Sequence, residues 1–406
     1  MKTIIFIGSN KSGSSREAIR AAVKLGYFTV LFTHKERQLE QRHEYVDVHE
    51  MIFIDTTDLP AMKKEIVSLQ KKGNDIKTIV SFIDSHVSIA LKLCEVFCPN
   101  GLSSSTAEVM ENKASTRSLL DGLPFSPKFV TITPNEQVDL QTIKTFKGFP
   151  LIVKSSSSTG SKDVLRAENL DQLRSHVRKL QEKNEDEAVM IEEFIEGQQY
   201  LVEAIVHRKQ IHIAGVIEQE ITFGKRFIIT GYGVLATIPR HLTEGIEKVL
   251  QSIVEKFAIE NAALHVEMRF VNNEWRLIEI NPRISGGAMN NMLQAAFGFN
   301  LAEETLKLYL GERPQLEHQH KHFIFTQYVI VQEKGILEKV TGKNRARKMD
   351  GVVEVYVKPK KGSLLVPPLS MGHRYAYVIA KGRTMSSAKV IAKKAAKEIQ
   401  FHLQDH

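Results

Sequence analysis

The first hundred residues alternate short apolar runs with amphipathic segments, and this alternation restricts the fold more than any other feature of the chain. Strands and helices in regular alternation form a parallel sheet whose faces are covered by helices. The sequence therefore predicts an α/β fold that begins with a parallel-sheet domain. The predicted strands of this domain are 4–8, 29–33, 51–55 and 78–83, with helices over 15–25 and 60–72.

Turn-rich segments divide the rest of the chain. A Pro-Asn-Gly turn at 99–101 closes the first unit, and a Gly-Glu-Arg-Pro segment at 311–314 begins a polar linker. The elements predicted around these turns are a helix over 105–121, a smaller α/β unit over 125–190, strands followed by a helix over 289–310, and a final helix over 386–402. These patterns predict four domains, with bounds 1–108, 109–198, 199–315 and 316–406.

The composition is that of a folded globular protein, with 406 residues of which 42% are hydrophobic and 25% charged. No apolar run approaches the roughly 18 residues of a transmembrane helix, and a strand follows Lys2 directly, so we expect neither a membrane span nor a signal peptide. The only two cysteines, Cys94 and Cys98, give no disulfide framework, and we expect them to be buried in a cytoplasmic protein. The basic residues that give the net charge of +8 are interleaved with acidic residues and form no RNA-binding signature. We therefore expect no nucleic-acid partner.

Two loops of the first domain are candidates for ligand contact. The turn over 8–15 nearly fits a phosphate-binding P-loop, but Ser14 stands where that loop needs its lysine, so we interpret it as a tight strand-to-helix turn. Asp84, Ser85 and His86 follow the fourth strand, at the edge where α/β sheets bind ligands. For these residues the sequence leaves both a substrate contact and a structural role open.

The stretch from His265 to Arg283 predicts a β-hairpin that carries two glutamates. Alternation puts Glu267 on one face of the first strand, and Glu279 on one face of the second. The glutamates face each other if the loop has three residues, 272–274, whereas a two-residue loop would place them on opposite faces. Facing carboxylates repel each other in a sheet, and a divalent cation between them removes that repulsion.

Glu267, Glu279 and Asn281 together form an oxygen-only ligand set, which suits Mg²⁺. Arg283 supplies a permanent positive charge that can hold a carboxylate or an acyl phosphate. The segment Ser285-Gly286-Gly287 opens a helix and offers backbone N–H groups to an anion or an oxyanion. The alternative to this metal and anion site is a surface hairpin whose charged side chains face water.

Two further segments favour the functional interpretation. Lys154 ends an apolar strand and precedes a serine-rich loop, which can close over phosphates while the lysine supplies charge. The apolar strand over 188–197 ends in a hinge-like segment whose backbone can contact an adenine edge. The order of these motifs along the chain is more specific than any one of them.

In this order the motifs resemble the ATP-grasp superfamily of carboxylate–amine ligases, and the spacing and long C-terminal part resemble the L-amino acid ligases, which join two amino acids into a dipeptide. The resemblance covers nearly the whole chain. It implies an ATP-grasp fold with an N-terminal parallel α/β domain, a two-lobed ATP-binding region and a C-terminal α+β part. It also implies ATP and two amino acids as ligands, Mg²⁺ as the metal with Mn²⁺ as a possible substitute, and a possible homodimer.

The resemblance implies roles for individual residues of this chain. Nucleotide contacts are implied for Lys113, Lys154, Ser161, Glu192, Glu193, Phe194, Ile195 and Gln199. Metal contacts are implied for Glu267, Glu279 and Asn281, and catalytic contacts for Arg283, Gly286 and Gly287. Gln199 stands where many relatives have a ribose-binding acid. Position along the chain makes Ser85, His86 and Met289 candidates for substrate contact.

The resulting hypothesis is an ATP-dependent ligase that forms a dipeptide through an aminoacyl phosphate and releases ADP and phosphate. One alternative keeps the fold and changes the substrates to another carboxylate with an amine or bicarbonate. A second alternative is a nucleotide-binding subunit without turnover. The complete set of Glu267, Glu279, Asn281 and Arg283 argues against the second alternative, because nucleotide binding alone does not need all four.

Overall fold

The computed structural model describes residues 1–98, 101–156, 163–223 and 227–404 of the chain. The strands of these residues form four sheets. The largest sheet has eight strands and carries the candidate site. Within the described residues, no helix combines the length and the apolar character that a membrane crossing requires.

The N-terminal unit is a four-stranded parallel sheet, as predicted, with strand order β3-β2-β1-β4. Five of the six residues of β1 are buried, as expected for a parallel strand covered on both faces. Cys94 and Cys98 lie buried in the core of this unit with their Sγ atoms 3.1 Å apart, which confirms the predicted burial. The elements are β1 (Lys2–Ile7), α1 (Ser14–Lys24), β2 (Phe28–Thr33), α2 (Glu36–Glu40), β3 (Glu50–Phe53), α3 (Leu59–Lys71), β4 (Asp75–Val80) and α4 (Val87–Phe97).

The helix predicted over 105–121 is two helices, α5 (Ser104–Glu111) and α6 (Lys113–Leu119). Asn112 separates them with extended backbone angles, and its side chain accepts a hydrogen bond from the N–H of Ser115. An asparagine in this role is a common N-cap because it satisfies a free N–H of the first turn. The break places Lys113 at the first position of α6.

The next unit is a four-stranded antiparallel sheet with strand order β5-β8-β6-β7. One helix, α8, covers it through Leu173, Val177 and Leu180, which recur at helical spacing and are buried. The sequence predicts three of its strands and this helix. The elements are β5 (Phe129–Ile132), α7 (Leu140–Lys144), β6 (Leu151–Ser155), β7 (Val164–Ala167), α8 (Leu170–Lys183) and β8 (Val189–Glu193).

The following segment supplies five strands of the largest sheet and the helices that pack on it. The helix predicted over 289–310 is interrupted at Gly298, whose φ of 92° is left-handed and ends the first of two shorter helices. The elements are β9 (Gln198–His207), β10 (Gln210–Phe223), β11 (Phe227–Val234), α9 (Arg240–Lys256), β12 (Asn261–Val271), β13 (Glu274–Asn281), α10 (Met289–Phe297) and α11 (Leu301–Tyr309).

The C-terminal part extends the same sheet across residue 315, giving the strand order β13-β12-β9-β10-β11-β14-β18-β16. The final helix ends at Glu398 instead of the predicted 402, because residues 400–404 form a strand that pairs with β15. The elements are β14 (Phe323–Val329), β15 (Gly335–Thr341), α12 (Lys343–Arg347), β16 (Val352–Val357), β17 (Leu364–Leu365), β18 (Ala376–Gly382), α13 (Met385–Glu398) and β19 (Gln400–Gln404).

Candidate active site

The hairpin of β12 and β13 places Glu267 directly opposite Glu279, as predicted, but by a different route. The loop has two residues, Asn272 and Asn273, with φ values of 52° and 63° that suit a type I′ turn. The expectation that facing glutamates require a three-residue loop is therefore wrong. A β-bulge between Glu267 and Met268 restores the register, because Ile278 is left without a cross-strand partner.

The bulge is held by a buried arginine that the sequence analysis does not identify. Arg117 on α6 donates hydrogen bonds from Nη2 to the carbonyls of Leu277 and Ile278, at 3.2 and 2.7 Å. Its Nε donates to the carboxylate of Glu192 at 2.7 Å. Arg117 follows Lys113 by four residues, so both point from one side of α6 toward the hairpin. This spacing is the sequence signal from which Arg117 was predictable.

The facing glutamates are partly buried and surrounded by positive groups. Lys113 Nζ lies 3.6 Å from Glu279 Oε1. Burial raises the pKa of Glu267, but a hydrogen bond from His265 and the charges of Arg283 and Lys113 outweigh it and keep that pKa below its ordinary value. Glu267 is therefore a carboxylate at neutral pH.

The donor set fits a hard divalent cation. Glu267, Glu279 and Asn281 offer two carboxylates and an amide oxygen from neighbouring positions of one hairpin, and Mg²⁺ accepts a few protein oxygens while keeping water or phosphate as its other ligands. Among the described residues, no group of three or more His, Cys, Asp or Glu side chains is arranged to hold a metal ion. The metal assignment thus remains a prediction that this ligand chemistry supports.

Lys154 on β6 and Glu192 on the neighbouring strand β8 form an ion pair in the small sheet. Lys154 Nζ lies 2.7 Å from Glu192 Oε2, and both side chains are buried. Burial raises the pKa of Glu192, but the charges of Arg117 and Lys154 outweigh it and hold that pKa below its usual range. Burial also lowers the pKa of Lys154, more than Glu192 raises it. One carboxylate thus pairs with two basic side chains, those of Arg117 and Lys154.

The segment after β8 makes contacts that bear on its predicted role with adenine. The Glu193 N–H donates to the Lys128 carbonyl at 3.1 Å, and the Ile195 carbonyl accepts a hydrogen bond from Arg269. The Arg166 guanidinium lies 4.4 Å from the centre of the Phe194 ring. Adenine contacts of Glu192, Glu193, Phe194 and Ile195 stay predictions, while the structure shows these protein partners.

Gln199 lies beside the glutamate pair. Its Nε2 donates to Glu267 Oε2 at 2.8 Å, and its Oε1 accepts from Arg269 Nε at 3.1 Å. The predicted ribose contact of Gln199 is not tested by these bonds. They do show that Gln199 orients a predicted metal ligand, because a hydrogen-bonded carboxylate has fewer rotamers available.

A buried acid–base pair lies behind Glu267 and was not predicted. Glu203 Oε1 lies 2.6 Å from His265 Nδ1, and His265 Nε2 lies 3.4 Å from Glu267 Oε1. Glu203 Oε2 accepts a hydrogen bond from the Ser285 N–H at 3.1 Å. Burial lowers the pKa of His265, but the Glu203 carboxylate outweighs it and raises that pKa to about 10. The group links the hairpin of β12 and β13 to the glycine loop, residues 285–287.

Arg283 is positioned by the N-terminal unit. Its Nε and Nη2 both contact the carboxylate of Asp84, and its Nη1 donates to the Ile284 carbonyl at 2.8 Å. The structure therefore brings the loop after β4 to the catalytic arginine that the sequence predicts.

The glycine loop after Arg283 packs against the first strand-to-helix turn. Ser14 Oγ donates to the Ser285 carbonyl at 2.5 Å. A Cβ atom on Gly13 would lie 2.9 Å from the backbone N of Gly287, so only glycine allows this approach. A Cβ atom on Gly286 would meet nothing within 4 Å. The turn supports the predicted anion-binding loop, and Gly286 borders open space.

The remaining predicted residues have different surroundings. The ring nitrogens of His86 lie within hydrogen-bond distance of the Thr56 and Ser85 hydroxyls, at 2.8 and 2.9 Å, and the ring is buried. Met289 is buried in the hydrophobic core, where it packs with its helix, and its substrate contact stays a prediction. Ser161 lies outside the described residues.

Three family models match successive parts of the chain. Residues 19–97 match the ATP-grasp N-terminal domain, residues 147–291 match the ATP-grasp domain, and residues 327–404 match the L-amino acid ligase C-terminal domain 2. The chain belongs to the ATP-grasp superfamily of ATP-dependent carboxylate–amine ligases. The predicted fold and enzyme class are confirmed.

Within this superfamily the chain is similar to L-amino acid ligases. It is 24% identical over 325 residues to an L-arginine-specific L-amino acid ligase of Bacillus subtilis, covering 78% of each chain. A protein of Sinorhizobium fredii is 25% identical over 87% of this chain and 74% of its own. The solved structure of an L-amino acid ligase from Bacillus licheniformis superposes with a TM-score of 0.83, 18% identity, and coverage of 100% and 99%.

The same fold occurs in solved structures of other enzymes. The biotin carboxylase domain of a 2-oxoglutarate carboxylase from Hydrogenobacter thermophilus superposes with a TM-score of 0.72 and 15% identity, covering 98% of this chain and 90% of that one. That structure is a dimer in complex with MgADP and bicarbonate. Fold similarity at this level establishes the architecture and leaves the substrates of this chain to be argued from its residues.

Proposed function

We propose that this protein joins two amino acids into a dipeptide, converting ATP to ADP and phosphate through an aminoacyl phosphate. The observation that carries the proposal is the facing pair Glu267 and Glu279 with Lys113 and Arg283 beside it. Two carboxylates surrounded by cations suit a site that binds a metal-bound nucleotide next to the carboxylate of a substrate. The match of residues 327–404 to an L-amino acid ligase domain supports amino acids as the substrate class.

The first step needs charge neutralisation around the phosphates, because a carboxylate attacks the γ-phosphorus and both reactants are anions. Lys113 and Lys154 supply positive charge to the phosphates, and Arg117 keeps the Glu192 carboxylate from cancelling it. Ser161 caps the phosphates from the serine-rich loop. The carboxylate oxygen forms the new O–P bond, and the bond to ADP breaks.

Glu267, Glu279 and Asn281 hold Mg²⁺ in this proposal, and Mn²⁺ is a possible substitute. When bound, the ion neutralises charge on the phosphate oxygens and orients them. Gln199 and His265 fix the Glu267 carboxylate from two sides, so its oxygens are oriented before a ligand arrives.

The second step forms the C–N bond and breaks the C–O bond to phosphate. Arg283, oriented by Asp84, stabilises the negative charge that develops on the acyl oxygen, and the N–H groups of Gly286 and Gly287 add to it. The attacking amine loses one proton, which a phosphate oxygen can accept. The small lobe within 109–198 excludes water, which would otherwise hydrolyse the acyl phosphate.

The test is ADP and phosphate release across a panel of amino acid pairs, with dipeptide identified by mass spectrometry. One or more pairs should stimulate ATP turnover and give one dipeptide per ADP. If no pair does so, while a carboxylate with ammonia or bicarbonate stimulates turnover, the alternative ligase or carboxylase activity replaces this proposal. A protein that binds MgATP without any turnover would be a nucleotide-binding subunit.

A further inference from the structure

Arg374 lies in the loop before β18 and contacts two tyrosines of the large sheet. Its guanidinium carbon lies 3.9 Å from the centre of the Tyr328 ring and 5.6 Å from that of Tyr232. Tyr328 lies on β14 and Tyr232 on the neighbouring strand β11, and their rings contact each other edge to face. The C-terminal part thus adds a cation to the sheet that carries the candidate site.

A single side chain, that of Tyr328, connects this cation with the glycine loop over 285–287. The Tyr328 hydroxyl lies 3.7 Å from the position of a Cβ atom on Gly287, and it accepts a hydrogen bond from the Ala288 N–H. The adjacent Gly286 borders open space. The ring of Tyr328 thus contacts Arg374, and its hydroxyl approaches the glycine loop that carries the proposed oxyanion groups.

The partners of Arg374 are all neutral in the described part of the chain. Its Nε donates to the Met371 carbonyl at 3.1 Å, and its Nη1 lies 3.3 Å from the Ile229 carbonyl and 3.4 Å from the Tyr232 hydroxyl. By contrast, Arg117 and Arg283 have carboxylate partners. A partly buried guanidinium without a carboxylate partner carries a positive charge that no negative group compensates. Such an arginine binds an incoming carboxylate strongly.

The proposed reaction brings three anionic groups together, and the cations around the site divide between them. Lys113 and Lys154 serve the phosphates, and Arg283 serves the reacting carboxylate. The α-carboxylate of the second amino acid takes no part in bond formation and needs a cation of its own. We propose, on the basis of the proposed function, that Arg374 binds the α-carboxylate of the amino acid whose amine attacks the acyl phosphate.

The experiment compares free amino acids with their α-amides as the attacking substrate, in wild type and in Arg374→Met. The amide keeps the amine and lacks the charge that Arg374 binds. The variant should raise the KM of the free amino acid by about 10- to 100-fold, as expected for losing a charged hydrogen bond, with the KM of the amide changed by about threefold or less. Arg374→Lys should give an intermediate KM, because it keeps the charge and loses the planar geometry.

Arg345→Met is the matched control, since Arg345 lies in the same part of the chain and pairs with Glu398 at the surface. It should change neither KM. Equal rises for the free amino acid and the amide in Arg374→Met, or no rise in either, would overturn the proposal. If Arg374→Met does not fold, the Arg374→Lys variant gives the same comparison. Hydroxamate formation by wild type with hydroxylamine tests carboxylate activation separately, so failure of the proposed function is recognised independently.

Discussion

Arg283, which follows the hairpin of β12 and β13, forms an ion pair with Asp84, which follows β4 of the N-terminal sheet. The pair joins two residues that are 199 positions apart in the sequence. It gives the N-terminal unit a role in orienting the side chain that we propose to be catalytic. Arginines with a fixed partner present their remaining donors in one direction.

Replacing Asp84 by Asn should therefore reduce kcat by about tenfold, because Arg283 loses its orientation. Steady-state kinetics of the ligation reaction measure this effect. Asp75→Asn is the control, since Asp75 lies at the start of β4 and pairs with Lys77 at the surface. A wild-type kcat in Asp84→Asn would show that Arg283 does not depend on this ion pair.

Replacing Glu279 by Gln should remove one of the two facing carboxylates without changing the size of the side chain. We expect kcat to fall by about 100-fold or more, as the loss of a metal ligand requires. Isothermal titration should also show that Mg²⁺ no longer strengthens ADP binding. Glu274→Gln, at the exposed end of the same hairpin, should leave both quantities near wild type. Full activity in Glu279→Gln would refute the metal assignment.

Replacing Glu192 by Gln should destabilise the fold, because Arg117 and Lys154 would share a neutral group in a buried position. The free energy of unfolding should fall by about 3 kcal/mol or more, as for other buried ion pairs that lose one partner. Urea denaturation measures it. Glu193→Gln, whose carboxylate accepts one hydrogen bond from the Lys128 N–H, should cost about 1 kcal/mol or less. Equal stability of the two variants would contradict this account.

The His265–Glu203 pair predicts a loss of stability in alkaline solution. Burial lowers the pKa of His265, but Glu203 raises it to about 10, above the ordinary value of 6.5. The folded protein therefore holds this proton more tightly than the unfolded chain does. The resulting stability is fully present below about pH 6.5 and is lost as the pH rises through about 10.

Denaturation in EDTA at several pH values between 6.5 and 10 tests this dependence. His265→Gln should have a smaller fall in the free energy of unfolding over this range than wild type. An equally steep fall in both proteins would mean that other groups cause it. His402→Gln, on the exposed edge strand β19, is a control that should follow wild type.

The sequence predicts elements whose signals are local. Short continuous apolar runs identify the strands of the N-terminal sheet, because these strands are buried on both faces. The helix break at Asn112 and the left-handed turn at Gly298 also have local signals, namely a capping asparagine and a glycine. The continuous helices predicted there do not take these residues into account. Capping residues were therefore informative where hydrophobic periodicity alone was not.

Features set by distant contacts were not predictable in the same way. The bulge at Ile278 depends on Arg117, which is 161 residues away, so loop length alone could not give the hairpin register. Glu203 meets His265 because β9 and β12 are neighbours in the sheet, although they are far apart in the chain. Residue types thus indicated the site's chemistry, whereas its supporting hydrogen bonds required the fold.

The most direct test of the account is an oxygen-transfer measurement with an amino acid labelled with ¹⁸O in its carboxylate. An acyl phosphate leaves one carboxylate oxygen on the phosphate when the amine breaks the C–O bond. The account predicts one ¹⁸O atom in each inorganic phosphate released during dipeptide formation, detected by mass spectrometry or by ³¹P NMR. Phosphate without ¹⁸O, formed together with dipeptide, would contradict carboxylate activation at this site.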